Sequence, residues 1–234
     1  NQAGALAFSV DGKTLASTSE DGAVRLWHVA TAQELFSLQG HRGPVLCAAF
    51  SPDGQTLAYQ QLGDPRTGLD LYLLSLTGPP NVRPLLVTKY NERLAIFSPD
   101  GRWIAYVSDE SGRDEVYARR YPEFGAPVQV SGEGGDTPAW SPDGTELYFA
   151  RTTGLFAVSF RDGRPGAPRQ LINTRQQGSR NALVGPIPWG RNFDVARDGR
   201  FLMLQLEDSY PNGAEYQVVL NWLTEVRARL ARGK

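Results

Sequence analysis

The sequence predicts an all-β protein, a β-propeller of about five four-stranded blades. A hairpin motif occurs five times: an apolar residue, a turn ending in Asp-Gly and a second apolar run, with copies starting at Phe8, Phe50, Phe97, Trp140 and Val195. Asp can bond to nearby backbone and Gly accepts the left-handed conformation, so each copy favours a β-hairpin. The turn aspartates lie 42, 47, 43 and 55 residues apart. This period, without a helical pattern between copies, is typical of propeller blades.

Composition limits the classes of function. The 234 residues carry 24 basic and 25 acidic side chains, a net charge of −1, which is too weak a field for non-specific nucleic-acid binding. No segment approaches the ~20 apolar residues of a membrane span, so we expect no direct membrane insertion of this segment. The single cysteine, Cys47, excludes an internal disulfide, and its apolar surroundings predict a buried core residue.

We expect one propeller domain over residues 1–234. The predicted blades are residues 5–40, 41–90, 91–132, 133–174 and 191–221. In the first blade the turn residues place strands at Ala5–Phe8, Thr14–Ser19, Val24–Val29 and Glu34–Leu38. In the second, strands are expected at Thr56–Gln60, Leu69–Leu76 and Val82–Thr88, with a polar loop at Gly63–Gly68.

Residues 15–28, which read LASTSEDGAVRLWH, and the later Gly40-His41 resemble a WD repeat. The resemblance implies a buried network of His, Ser, Asp and Trp, in which His28 replaces the usual Asp. The histidine that would belong with Asp21 and Trp27 falls before residue 1, so we expect a propeller that is truncated at its N-terminus. His41 has no tryptophan in the next blade, and we interpret it as a structural turn residue that needs another partner.

From the third blade onward the chain resembles the TolB-like propeller repeat. Residues 96–119 carry a Ser-Asp loop before a strand with an aromatic residue. Residues 134–149 and the closing 217–226 resemble the C-terminal propeller of bacterial membrane-anchored serine/threonine protein kinases. This second resemblance covers residues 91–234 and implies a sensory or scaffold domain on the extracytoplasmic, periplasmic face of a bacterial membrane.

A long polar insertion separates the last two predicted blades. The fourth has strands predicted at Ala139–Trp140, Glu146–Arg151, Gly154–Phe160 and Arg169–Asn173, and the fifth at Arg191–Ala196, Arg200–Glu207 and Glu215–Asn221. Thr174–Arg191 between them is expected to be a long surface loop. Trp222, Leu223, Val226 and Leu230 recur at helical spacing and predict a short C-terminal helix at residues 222–231.

The sequence assigns no catalytic residues. Two histidines and no Gly-x-Ser-x-Gly elbow argue against a hydrolase, and no phosphate-binding Gly-x-x-x-x-Gly-Lys motif occurs. His28, His41 and Cys47 lie in different contexts, so no metal site and no cofactor are predicted. The acidic loop Asp109–Glu115 could hold calcium, but Arg113 would neutralise it, and a solvated hairpin turn is the favoured interpretation.

Two loops carry aromatic residues that could anchor a partner, Tyr121–Phe124 and Ile187–Trp189. The favoured interpretation is that they cover blade edges. The basic residues near the C-terminus are expected to form a solvated helix face; they are Arg227, Arg229, Arg232 and Lys234. Binding residues therefore remain unassigned from the sequence.

The sequence favours a non-catalytic β-propeller that binds a protein or small ligand at a loop-bearing face and belongs to a larger bacterial protein. This function follows from the fold by analogy. Two alternatives remain open: a soluble periplasmic TolB-like protein that binds envelope components, and the substrate-gating propeller of an oligopeptidase.

Overall fold

The computed structural model describes residues 3–41, 43–173, 193–206 and 216–219. This part of the chain holds twenty β-strands and no helix. The strands form five antiparallel sheets that follow one another along the chain. The predicted all-β propeller architecture is confirmed. The expected surface loop 174–191 and the helix 222–231 lie outside the described residues.

The five sheets are built as follows. The first contains β1 (Ala3–Phe8), β2 (Thr14–Ser19), β3 (Val24–His28) and β4 (Gln33–Leu38). The second contains β5 (Val45–Phe50), β6 (Thr56–Leu62), β7 (Leu69–Ser75) and β8 (Asn81–Leu86). The third contains β9 (Glu92–Phe97), β10 (Trp103–Ser108), β11 (Glu115–Arg120) and β12 (Val128–Gln129). The fourth contains β13 (Asp136–Trp140), β14 (Glu146–Arg151), β15 (Gly154–Arg161), β16 (Arg164–Pro165) and β17 (Arg169–Asn173). The fifth contains β18 (Phe193–Val195), β19 (Phe201–Leu206) and β20 (Tyr216–Val219).

The repeated turn has one hydrogen-bond pattern in the first four sheets. In the third sheet the Ser98 hydroxyl donates to Asp100 over 2.6 Å and accepts from the Trp103 N–H over 2.9 Å. The Arg102 N–H donates to the same Asp100 carboxylate over 3.0 Å. The same three bonds recur in the turns that begin at Ser9, Ser51 and Ser141. Gly101 has φ of 69°, as the predicted hairpin turn requires.

Each pair of successive sheets encloses an apolar layer. Leu26 of the first sheet shares a layer with Leu57 of the second, and the next layers join the second to the third, the third to the fourth and the fourth to the fifth sheet. The first strands of neighbouring sheets lie against one another. Strands β9 and β10 are buried throughout, because the third sheet is covered on both faces. The core therefore lies between the sheets.

Among the described residues, no other sheet covers one face of the first sheet. Its motif aromatic, Phe8, is 62% exposed, whereas the equivalent Phe97 and Trp140 are each 8% exposed. Leu6, Val10 and Leu35 of the same sheet are also exposed. Arg197, in the turn of the fifth sheet, donates a hydrogen bond to the Val10 carbonyl over 3.0 Å, so the two end sheets meet at their turns.

Candidate functional site

The antiparallel strand order divides the loops between two rims. The Ser-x-Asp-Gly turns lie on one, which we call the turn rim. The turns between the second and third strands of each sheet lie on the other, together with the connections from sheet to sheet. This second rim, the loop rim, carries residues 20–23, 63–68, 109–114 and 152–153.

His41 joins the first two sheets at the loop rim. Its Nδ1 bonds to the Gly22 carbonyl, which can only accept, so Nδ1 carries the proton. Nε2 lies 3.0 Å from the Tyr59 hydroxyl. Tyr59 lies eight residues after the turn serine of its sheet, Ser51. Ser17 occupies the same position in the first sheet, where its hydroxyl accepts the Trp27 indole N–H over 2.8 Å. The partner that the sequence required for His41 is therefore a tyrosine hydroxyl, and a structural role for His41 is supported.

A groove of about 710 Å³ opens beside this histidine. We call it the loop-rim groove. One side is the connection between β4 and β5, including His41, and the other is the β6–β7 loop with Asp64, Arg66 and Thr67. Its floor is one face of the β6–β7 hairpin, where two cross-strand pairs lie side by side: Tyr59 opposite Tyr72, and Gln61 opposite Asp70.

Asp70 is the unusual member of this groove. It is only 1% exposed. The Thr67 hydroxyl donates to its Oδ2 over 2.9 Å, while its Oδ1 has no hydrogen-bond partner among the described residues. Burial raises the pKa of the Asp70 carboxyl, and the neighbouring Asp64 carboxylate acts in the same direction. A buried carboxylate without a counter-charge is costly, so its presence needs a reason beyond folding.

The backbone makes room for this carboxylate. A Cβ on Gly63 would lie far inside van der Waals contact of Asp70 Oδ2. The Gly63 N–H donates to the Gly68 carbonyl over 2.8 Å, which closes the β6–β7 loop over the end of the hairpin. A glycine at residue 63 is therefore needed for Asp70 to occupy its present position.

Further negative charge surrounds the groove. Asp64 forms an ion pair with Arg66, with 2.8 Å between Nε and Oδ1. Glu92, at the start of β9, is 2% exposed and accepts a hydrogen bond from the Thr88 hydroxyl. Burial raises the pKa of Glu92 to about 7, and the charges of Asp70 and Asp109 contribute. The lining of the groove itself holds two carboxyl groups, on Asp64 and Asp70, and one guanidinium, on Arg66.

The sequence singled out His41 and the polar loop Gly63–Gly68, but it assigned no binding role to them or to Gln61 and Asp70. A pattern that could have identified them is a polar residue in each of two largely apolar strands, Gln61 in β6 and Asp70 in β7. The third sheet has a polar pair at the equivalent position, Ser108 opposite the buried Glu115. The hairpin register that places Gln61 opposite Asp70 is a structural result.

The acidic loop Asp109–Glu115 has a structural role. Asp109 accepts two hydrogen bonds from Asn91, and Asp114 pairs with Arg93 over 2.8 Å. Glu115 is fully buried and accepts bonds from Arg113, Ser131 and Gly134. Arg113 thus neutralises Glu115, as expected. The sequence suggested a solvated turn, but the acidic side chains of this loop bond to residues of neighbouring strands and connections.

The remaining predicted candidates fall into two groups. Tyr121 packs edge-on against Phe97 and bonds to the Thr56 hydroxyl, and Phe124 packs edge-on against Tyr121, so this loop covers sheet edges as expected. Cys47 is buried in the apolar core, and His28 ends β3, where its Nδ1 lies 2.8 Å from the Thr31 hydroxyl. Two other sets lie outside the described residues: Ile187–Trp189 and the basic residues Arg227, Arg229, Arg232 and Lys234.

Two kinds of feature are missing from the described residues. No group of three or more His, Cys, Asp or Glu side chains is arranged there to hold a metal ion. In the same residues we find no helix with the length and apolar character needed to cross a membrane.

Comparison with known proteins places the chain in a family. A family model for the TolB beta propeller domain matches residues 3–182. The chain belongs to this family. It also resembles short stretches of curated proteins: it is 49% identical over 45 residues to the WD40 repeat-containing protein HOS15 of Arabidopsis thaliana, and 50% identical over 44 residues to Coronin-7 of Bos taurus. Each match covers 19% of this chain, and 7% and 5% of those proteins.

Solved structures share the fold of this TolB-type propeller. TolB from Acinetobacter baumannii superposes with a TM-score of 0.64 at 16% identity, over 88% of this chain and 52% of that one. The putative TolB from Agrobacterium tumefaciens gives a TM-score of 0.64 at 19% identity, over 94% and 77%. The chain thus spans about half of the first structure. The likeness concerns the fold alone.

Proposed function

We propose that this TolB-type propeller is a non-catalytic binding domain of a larger bacterial protein, and that it presents the loop-rim groove to a protein or small ligand. The observation that carries the proposal is Asp70, a buried carboxylate in the lining of a groove, with one oxygen unpartnered among the described residues. Other polar groups of this rim stabilise the fold: Arg93 of the third sheet pairs with Asp136 of the fourth, and His41 bonds to Gly22 and Tyr59 of the first two sheets. We treat residues 1–234 as one propeller domain.

The resemblance of residues 91–234 to kinase C-terminal propellers supports a finer proposal. In it, the domain is a sensor or scaffold on the extracytoplasmic face of a bacterial membrane. Membership of the TolB beta propeller family favours the alternative, a soluble periplasmic TolB-like protein that binds envelope components. Both forms use the domain for binding and both are compatible with the same groove.

Site-specific cross-linking tests the proposed function. A photo-cross-linking amino acid is placed at Arg66, whose side chain is 87% exposed at the groove, or at Lys13 on the turn rim. Each full-length variant is irradiated in an extract of the cells that make the protein, and adducts are identified by mass spectrometry. We expect a discrete adduct from residue 66 that is absent from residue 13. Adducts only at residue 13, equal adducts at both, or none at either would contradict the proposal.

A further inference from the structure

We propose that Asp70 anchors a subsite for an organic cation, the ammonium or guanidinium group of a partner's lysine or arginine side chain. This inference rests on the proposed function, because it names the chemical class that the loop-rim groove accepts.

Charge balance around the groove favours a cation. Asp70 is buried in the lining of the groove, and no ion pair among the described residues includes it. Arg66, the basic side chain that lines the groove, is already bonded to Asp64 through both Nε and Nη2. Low-dielectric walls concentrate the field of such charges within a cleft. The groove therefore attracts a cation from outside the described chain.

Asp136 offers an internal contrast with Asp70. Asp136 is also buried, but Arg93 donates to it over 2.6 Å, so the chain supplies its own counter-charge there. For Asp70 the Thr67 hydroxyl bonds to Oδ2, and Oδ1 has no partner in the described part of the chain. A buried charge of this kind is compensated when a partner brings the opposite charge. Asp70 is thus a residue whose counter-ion is missing from the described part of its own fold.

The floor of the groove is aromatic. The rings of Tyr59 and Tyr72 stack with centroids 5.7 Å apart and 18° between their planes. Tyr72 lies two residues from Asp70 on the same strand face, about 7 Å away by strand geometry. The alkyl part of a long basic side chain can lie on such rings while its charged end reaches the carboxylate, and ring faces attract cations. Gln61, opposite Asp70, adds an amide oxygen as an acceptor.

Titration with minimal probes tests this subsite. The probes are the N-acetyl methylamides of lysine and arginine, with norleucine as a neutral analogue of lysine and glutamate as an acidic one. Binding is followed through the backbone amide NMR signals of Gly63 and Thr67. We expect saturable shifts with lysine or arginine, weakened by salt, and none with norleucine or glutamate. Asp70→Asn should weaken binding at least tenfold, whereas Glu133→Gln, an exposed charge change elsewhere on the same rim, should have no effect.

Loss of folding is controlled in two ways. Asp70→Asn removes an uncompensated buried charge, so we expect it to unfold at the same or a higher temperature than the wild type. Gly63→Ala keeps the charge but forces the Asp70 carboxylate to move, and it should also weaken lysine or arginine binding. Binding that survives in both variants would overturn the subsite.

Other outcomes would also overturn it. They are equal binding of norleucine and lysine, preference for glutamate, no binding of any probe, or shifts of the same amides by calcium chloride alone. None of these results affects the cross-linking test at residue 66, which detects an occupant of any charge. Failure of the cationic subsite and failure of the binding function can therefore be distinguished.

Discussion

At the residue scale, the carboxyl groups fall into two classes that give stability an opposite dependence on pH. The turn aspartates, such as Asp11 and Asp143, have a lowered pKa because the serine two residues earlier donates a hydrogen bond to the charged form. The stabilisation of the fold that these charged aspartates provide is fully present above about pH 4 and is lost as the pH falls further. Glu92 behaves in the opposite way, because burial disfavours its charged form and raises its pKa to about 7.

Glu92→Gln should change the pH dependence of folding. The folded pKa of Glu92 lies above the unfolded value near 4.5, so the native state holds an extra proton between about pH 4.5 and 7. The wild type should therefore lose stability relative to the variant as pH rises through this window, by on the order of 3 kcal/mol. Urea unfolding of both proteins at pH 4.5, 6 and 8 measures the difference. Parallel stability profiles would show that Glu92 does not titrate in this range.

At the element scale, the hairpin turn is the unit that repeats. Each of its three polar or small residues makes a separate contribution. The serine hydroxyl bridges the strand ends, the aspartate accepts backbone N–H groups, and the glycine takes a positive φ. The fifth turn has Ala196 in the serine position and still closes through the Ala196 and Arg200 backbone bond. This bond spans four residues, whereas the matching bond spans five in the other four turns, so the fifth hairpin is one residue tighter. Asp198 still accepts the Arg200 N–H, and Gly199 still has a positive φ of 79°.

Gly101→Ala should destabilise the protein by about 1 kcal/mol or more. The space around its Cβ position is open, with Pro52 no closer than 3.8 Å, so the cost comes from the positive φ and not from a clash. Gly132→Ala is the matched control, since Gly132 has no positive φ and no neighbour within 4 Å of the added atom. Thermal and urea unfolding should show a loss for Gly101→Ala alone. Equal stability of the two variants would contradict the role given to the positive φ.

At the scale of the whole molecule, contacts between neighbouring sheets stabilise the fold. Arg93 bonds to Asp114 of its own sheet and to Asp136 of the fourth, so one guanidinium joins two sheets. Burial lowers the pKa of Arg93, but the two carboxylates outweigh burial and hold that pKa above its ordinary value. The burial of the aromatic residue in the turn motif also depends on the neighbouring sheet. Phe97 is buried, whereas Phe8 is exposed because no described sheet covers that face of the first sheet.

Arg93→Met should cost about 3–5 kcal/mol, because it leaves the buried Asp136 carboxylate without its counter-charge. Arg102→Met is the control, since Arg102 forms an exposed pair with Asp100 that is worth no more than about 1 kcal/mol. Chemical denaturation of the full chain compares them. Similar losses in the two variants would mean that the Arg93 ion pairs contribute no more than a surface pair does.

Much of the fold could be predicted from local patterns. Hairpin turns and apolar runs are short-range features, and in the first sheet they placed the strand ends within two residues of those observed. The short strand β16 was not expected, because a two-residue strand after Asp162-Gly163 leaves no apolar pattern. The candidate site was missed for a different reason. Asp70 and Gln61 become neighbours through the hairpin register, and His41 reaches Tyr59 through the packing of two sheets.

The sequence by itself determined the repeat, the turn chemistry and the TolB-like and WD-like character, because each depends on residues close together in the chain. Only the tertiary structure decided which polar groups satisfy one another and which do not. It gave His41 a tyrosine partner, gave Asp136 an arginine, and left Asp70 buried beside a groove with one oxygen unpartnered in the described part of the chain. Hydrogen-bond satisfaction depends on side chains far apart in sequence, so it can be determined only in the folded chain.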